Sequence, residues 1–337
     1  MASSSSADSV RARVIIVGGA GFVGSHFTDV LLSDPATARL TLYDDFSSGH
    51  EWHYAAHASD ERLGVVRARA EDLDVLCEAM DGHDLVIHLA SNPDIAAAMT
   101  NPAIDFDRGT LLTNNVVEAM RRTGVPRIVY ASGSGVYGDL GELEPSEAHG
   151  PMVPVSTYGA SKLAGEALIS SYAYMFGMQG FVFRFGNLVG RRQTHGVGFD
   201  FVRRLRADPT RLTVLGDGTQ SKSYVLVGDI VAAVLRAIDG GRAAPFNVFN
   251  VATGDYVTVR EIVAIALEVL GLDADDVNVE YGTEPRGWKG DVPVVRLNTD
   301  RIRQLGWAQT VGSAGALRLS MQAMLEDLES GVAGVER

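Results

Sequence analysis

Val14-Ile15-Ile16-Val17-Gly18-Gly19-Ala20-Gly21-Phe22-Val23-Gly24 decides the fold. Four consecutive apolar residues read as a strand covered on both faces, as in a parallel sheet. Gly18, Gly21 and Gly24 then form a GxxGxxG turn, and a helical pattern runs from about Phe22 to Leu32. In such a turn the first glycine permits the bend, the second admits a pyrophosphate close to the backbone, and the third lets helix and strand pack closely. The phosphates would lie against the positive helix N-terminus. Asp44 follows about twenty residues after Gly24, ending a second apolar run, Leu40-Thr41-Leu42-Tyr43. A carboxylate there accepts both hydroxyls of an adenine ribose and repels a 2′-phosphate. None of Asp45, Phe46, Ser47 and Ser48 is cationic, so NAD(H) is favoured over NADP(H). The cofactor contacts expected here are Gly18, Gly21, Phe22, Val23, Gly24, Asp44, Asp45 and Ser47.

The rhythm continues along the first half of the chain. Strands are expected at Leu63–Val66, Asp84–Leu89, Arg127–Ala131 and Gly180–Phe185, and helices at Thr113–Arg122 and Ser161–Phe176. Repeated strand–helix units imply an α/β fold, a Rossmann-type doubly wound parallel sheet. Beyond about Gly190 the elements shorten, punctuated by Gly216-Asp217-Gly218 and Glu284-Pro285-Arg286-Gly287, with helices at Gly228–Ile238 and Arg260–Leu270. The expected organisation is a flexible Ser-rich tail over 1–10, a cofactor-binding domain over 11–190, and a smaller α/β substrate lobe over 191–337.

With 337 residues, 46% apolar and 21% charged, the composition is that of a globular enzyme. The net charge of −13 would repel phosphate backbones, so no nucleic-acid partner is expected. Cys77 is the only cysteine, which rules out an intramolecular disulfide. Neither a signal sequence nor a membrane-length apolar run is read, so a soluble, cytoplasmic protein is the expectation. His50, His53 and His57 lack accompanying ligands at metal-site spacing and are read as solvent-facing, with no metal expected. Arg203, Arg204 and Arg206 are read as a solvated helix face, and Trp288 and Trp307 as packing residues.

Tyr158-Gly159-Ala160-Ser161-Lys162 puts a phenol and an ammonium four residues apart on one helix face. A nearby Lys⁺ and a positive nicotinamide both favour phenolate, which makes Tyr158 a candidate general base for a hydroxyl proton. With the glycine turn and Asp44, this pattern resembles the extended short-chain dehydrogenase/reductase family, and within it the NAD-dependent nucleotide-sugar epimerase/dehydratase branch. The resemblance runs from about Val14 to Trp307. It rests further on Asp84 to Ala90, on Ala131 to Gly138 (ASGSGVYG), on Arg184-Phe185-Gly186-Asn187 with Gly190, on Gly216-Asp217-Gly218 through Tyr224 and Asp229, and on Arg286 to Asp291.

The resemblance implies further roles. Leu89, Ala90 and Ser91 would line the cofactor, Glu71 or Asp72 would face the adenine, and Phe185 would lie near the nicotinamide. Asn92, Asn187, Gln193, His195, Lys222, Arg286 and Asp291 would meet a nucleotide-sugar substrate, most simply a UDP-sugar. A homodimer built from the helices around Thr113 and Ser161 is also implied, as is an exchange of segments between the lobes. Departures from the pattern matter as much. The family's catalytic Ser or Thr falls at Gly133, leaving Ser132 or Ser134 to supply the hydroxyl. Its Asn before the fifth strand falls at Gly109, with Thr113 and Asn115 retained, and its diphosphate Arg falls at Lys222.

Oxidation at sugar C4 is the first step shared in this branch. Dehydratases typically carry Asp-Glu before the VYG segment, and decarboxylases a Glu in the second position. Here these positions are Ser134 and Gly135, so 4-epimerisation is the expected outcome. A dehydratase or decarboxylase would need an acid from another loop, with Asp94, Glu142 and Glu144 as candidates. A non-catalytic NAD-sensing or RNA-associated relative would have no need of Tyr158 and Lys162.

Overall fold

A computed structural model describes residues 11–240 and 244–329; the tail expected over 1–10 lies outside them. Seven strands form one parallel sheet: β1 (Arg13–Val17), β2 (Arg39–Asp44), β3 (Leu63–Arg67), β4 (Leu85–His88), β5 (Arg127–Gly133), β6 (Gln179–Phe185) and β7 (Phe246–Val251). Their spatial order is 7-6-5-4-1-2-3, so the winding reverses between β1 and β4. Ligands of such sheets bind at that switch point, beyond the strands' carboxyl ends.

Side-chain alternation explains why the central strands are apolar throughout. Val14 and Ile16 of β1 pack to one face with Phe27 and Leu31 of α1 (Phe22–Ser33). Ile15 and Val17 pack to the other, with Leu76 of α2 (Leu73–Met80), Val116 and Met120 of α3 (Leu112–Thr123) and Ile169 of α4 (Thr157–Phe176). At the sheet edge, β3 has only one strand neighbour and is largely exposed.

After β6 the chain leaves the sheet through α5 (Val197–Ala207) and returns to it through α6 (Val227–Asp239) and β7. Val231, Val234 and Ile238 of α6 join Phe249 of β7 in the core beneath α1. The smaller lobe is built from α5, α7 (Val259–Leu270) and α8 (Ser313–Glu329), closed by strand pairs 211–214 with 278–281 and 221–222 with 257–258. Its core includes Phe201, Leu205, Ile262, Ala266 and Met321. Trp307 is buried, with its indole N–H donated to the Asp229 carbonyl, 2.9 Å, as a packing residue should be. Among the described residues no helix is long and apolar enough to cross a membrane.

Candidate active site

The glycine turn separates what the chain needs for itself from what it leaves open. Gly18 has φ +84° and donates its N–H to the Tyr43 carbonyl at 2.8 Å; a Cβ there would stand 2.6 Å from the Ala90 nitrogen. A Cβ on Gly24 would stand 2.7 Å from the Gly19 carbonyl carbon and closer still to its oxygen. Gly21 is different: a Cβ there would meet only the Gly18 oxygen, at 3.5 Å. Gly21 is the N-cap of α1, which has no side-chain cap and no acidic residue in its first turn. The N–H groups of Phe22, Val23 and Gly24 therefore open onto a cradle that a Cβ would fill, and an anionic pyrophosphate fits it. The Phe22 side chain itself is buried, so its contribution there is the backbone.

Asp44 is 8% exposed; its carboxylate accepts the N–H of Ala20 at 2.9 Å and of Phe46 at 2.8 Å, tying the glycine turn to the end of β2. Burial pushes its pKa up, against the pull of these two bonds. Asp45 accepts the Ser47 N–H at 2.9 Å. Glu71 is paired with Arg69 at 2.8 Å, and Asp72 caps α2 through Val75 N. Arg67 lies over the Phe46 ring, 3.9 Å from its centroid, and pairs with Glu51. That cation comes from β3, outside the stretch from which a cation-free ribose site was read. Leu89 and Ala90 both donate to the Val17 carbonyl, so the β4 end flanks the turn.

Ser156 caps α4 by accepting the Gly159 N–H, which sets Tyr158 in the first turn and Lys162 one turn on. Lys162 is buried, donates to the Ala131 carbonyl at 2.8 Å, and stands 5.4 Å from the centre of the Tyr158 ring. Burial pulls its pKa down to about 8. Tyr158 differs from the sequence expectation: burial raises its pKa, the Ser91 side chain's hydrogen bond lowers it, and Asp105 raises it further. Lowering the phenol toward neutrality is thus left to cationic charge brought to the site.

Asp105 had no signal in the sequence. It is buried, accepts Asn92 Nδ2 at 2.9 Å and Thr157 Oγ1 at 2.7 Å, and precedes a π-helical stretch, Phe106–Leu111. Gly109 lies in that stretch, where a Cβ would stand 2.7 Å from Ser161 Oγ, so an Asn side chain has no room. Behind Lys162, Thr113 meets His88 Nε2 at 3.0 Å and the Tyr130 hydroxyl. Burial pulls His88 down to about 3. Asn115 instead reaches the Ala70 carbonyl.

The two serine candidates separate. Ser132 donates to Glu166 at 2.5 Å, and Glu166 is ion-paired with buried Arg184, which also reaches the Tyr137 hydroxyl at 2.8 Å. Ser132 is therefore committed to a buried ion pair. Ser134 begins a short turn, Ser134–Tyr137, and a Cβ on Gly133 would meet open space. Phe185 is stacked on Phe183 in the core, centroids 6.0 Å apart.

Among the substrate candidates, Lys222, Arg286 and Asp291 come together. Lys222 pairs with Asp291 at 2.6 Å, and Arg286 donates to the Asp291 carbonyl at 2.5 Å and pairs with Asp139 at 2.6 Å. Asn187 donates weakly to the Ser223 carbonyl, 3.3 Å. Asn92 is engaged with Asp94 and Asp105. Gln193 is buried, donating to the His195 carbonyl and accepting from Ser320, while His195 lies on an exposed loop. The reading of His53 as solvent-facing is corrected: it is 1% exposed, with its ring nitrogens 2.6 Å from the Ala20 carbonyl and 3.1 Å from that of Arg192. His57 pairs with Asp29 at 2.8 Å, which also binds Arg192. These residues pin the start of the second lobe to the glycine turn.

Residues 14–252 match the family described as the NAD dependent epimerase/dehydratase family. The chain belongs to it. UDP-glucose 4-epimerase of Mycolicibacterium smegmatis is 31% identical over 92% of this chain and 97% of its own length. A solved UDP-galactose 4-epimerase is 34% identical, with a TM-score of 0.81 over 94% of this chain and 99% of its own. A dTDP-glucose 4,6-dehydratase from Streptomyces venezuelae, solved with NAD bound, is 26% identical with a TM-score of 0.86 over 94% and 98%. The cofactor of this NAD-dependent epimerase/dehydratase is NAD, which the open cradle at Gly21 and the Asp44 carboxylate suit. When bound, NAD would supply an acceptor for a hydride from a substrate carbon. Gly18, Gly21, Gly24 and Asp44 would hold it.

Proposed function

We propose that this family member is a nucleotide-sugar 4-epimerase acting on a UDP-hexose or UDP-hexuronic acid through a transient 4-keto sugar. In this reading Tyr158 takes the proton of the sugar 4-hydroxyl and Lys162 keeps positive charge beside it. The proton returns from Tyr158 to the oxygen of the C4 epimer once the keto sugar has turned. Lys222 and Arg286 would face the diphosphate, with Asp291 and Asp139 holding them in place. The observation that carries the choice of epimerisation is the engagement of every candidate acid. Asp94 accepts the Ala97 N–H, Glu142 pairs with Arg296 at 3.0 Å, and Glu144 accepts the Tyr256 hydroxyl at 2.8 Å. Removing a C5 proton or expelling a C6 hydroxyl needs a carboxyl group at the substrate, and Ser134 and Gly135 offer none before Val136.

The same proposal includes a cytoplasmic homodimer. Exposed Phe106 and Leu111 before α3, and Tyr174, Met175 and Phe176 at the end of α4, give the apolar surface that a second copy would cover. Incubation with UDP-glucose, UDP-galactose and UDP-glucuronic acid tests the reaction. The expected product is the C4 epimer at unchanged mass, with Tyr158→Phe slowing turnover by about 10²- to 10⁴-fold. Loss of water or carbon dioxide would assign the protein to the dehydratases or decarboxylases instead.

A further inference from the structure

The Lys162 ammonium is buried with few polar partners. Of its three N–H groups, one is hydrogen-bonded among the described residues, to the Ala131 carbonyl at 2.8 Å. Nor is a carboxylate ion-paired with it among these residues. Glu166, one turn on, is taken by Arg184 and Ser132, and Asp105 by Asn92 and Thr157. What surrounds the ammonium is aromatic. Its Nζ lies over the Tyr158 ring, 5.4 Å from the centre, and over the buried Tyr130 ring of β5, 5.2 Å from the centre. The Tyr130 ring has a berth beneath α4. A Cβ on Gly165 would stand 2.7 Å from the Tyr130 Cζ and closer still to its oxygen, so the helix carries a weakening glycine at this point. The His88 ring leans on Tyr130, centroids 5.3 Å apart, and is itself fixed by Thr113 at 3.0 Å.

We propose that Tyr130 is a positioning residue whose ring face holds the Lys162 ammonium charged and close to Tyr158. This rests on Lys162 serving Tyr158 in the proposed reaction. The face of an aromatic ring is negative, and a desolvated cation within about 6 Å of its centre is attracted to it. An ammonium taken out of water with one hydrogen bond needs such compensation, or it sheds its proton. The titratable groups facing Lys162 are Tyr158 and Glu166 of the same helix, Tyr130 of β5, Asp105 before the π-helical stretch, and His88 of β4, which burial keeps neutral. Burial already pulls the ammonium toward its neutral form, so weakening the Tyr130 face moves it further in the same direction.

The chain has only three lysines, Lys162, Lys222 and Lys289, which makes a direct test practicable. In NAD-loaded protein labelled with carbon-13 at the lysine Cε, Lys162→Arg identifies the Lys162 signal by its loss, and nuclear magnetic resonance follows its titration. Tyr130→Phe keeps the ring face and should leave the titration near that of the parent. Mono-, di- and trifluorinated forms of the Tyr130→Phe side chain drain the face of negative charge with little change of shape. Along that series the Lys162 titration should fall stepwise, by about 0.4–1.5 pH units in all, the worth of a buried cation–π contact. The alkaline limb of the kcat profile should fall with it. A Lys162 titration that stays in place across the fluorinated set overturns the inference, even in an active epimerase. If the titration falls but no C4 epimer forms, the proposed reaction fails and the hold of Tyr130 on Lys162 stands.

Discussion

Gly21 and Gly24 stand one turn apart in the same motif, and alanine should affect them in opposite ways. At Gly24 the new Cβ would strike the Gly19 carbonyl, backbone that cannot turn aside. Overpacking of this kind costs about 1–3 kcal/mol, and backbone contact argues for the upper half of that range. At about 1.4 °C per kcal/mol for a chain of 337 residues, the melting temperature should fall by roughly 3–4 °C. At Gly21 the backbone has φ −84° and ψ 178°, open to alanine, and the nearest contact is an ordinary 3.5 Å. Alanine is a poorer N-cap than glycine by about 0.5 kcal/mol, and a stiffer unfolded chain offsets about the same amount. Stability should stay within about 1 kcal/mol of the parent. The methyl, however, stands in front of the first-turn N–H groups. Losing one charge-assisted hydrogen bond, about 1.5–3 kcal/mol, should weaken NAD binding by about tenfold to a hundredfold. Thermal unfolding of NAD-stripped protein and calorimetric titration with NAD measure the two quantities separately. If Gly21→Ala lowers stability as much as Gly24→Ala, or binds NAD normally, the assignment of the open side of Gly21 to phosphate is wrong.

His88 predicts acid lability. Burial holds its folded pKa near 3, below its ordinary 6.5, so the stability due to the neutral ring is complete above pH 6.5 and is lost as pH falls toward 3. The loss is about 1.4 kcal/mol per pH unit once below 6.5. His26, pulled to about 4 mainly by burial, adds a loss of the same sign. Urea unfolding at pH 7 and pH 5 should differ by on the order of 2 kcal/mol or more, and equal midpoints would show that His88 is not buried as described. Ser132→Ala should cost about 1.5–3 kcal/mol by removing a donor to the buried Glu166 carboxylate, yet leave turnover within about threefold. A collapse of kcat at unchanged stability would return Ser132 to the reacting atoms.

The parallel sheet was legible because its strands are continuous apolar runs broken by glycine turns. Expected and observed ranges agree to within a few residues from β1 through β6. Phe246-Asn247-Val248-Phe249-Asn250-Val251 escaped because two asparagines interrupt its apolar pattern. Both are buried and bonded, Asn250 accepting from the Tyr137 hydroxyl and Asn247 donating to the Ala244 carbonyl. The π-helical stretch at 106–111 has no periodicity signal of its own, and Asp105 gains meaning only when Asn92 and Thr157 are brought to it. The same holds for His53, whose partners at Ala20 and Arg192 are far apart in sequence. What could be read was local chemistry at fixed spacing: the glycines, Asp44, Tyr158 with Lys162. Hidden were long-range contacts such as those that tie Ser132 to Glu166 and Gln193 to Ser320.

β7 also sets a timetable for synthesis. From Gly180 to Phe185, β6 pairs with a strand that the ribosome makes only after the chain has passed through α5 and α6. At roughly 5–20 residues per second, the interval from Phe185 to Phe246 lasts on the order of 3–12 s. Throughout it Phe181, Phe183 and Phe185 lack Phe249, and α6 is completed only near its end, so a bare strand edge invites pairing with another nascent chain. Slow translation across 190–245 would lengthen that exposure. Silent codon changes there should alter the yield of soluble protein without altering the protein itself.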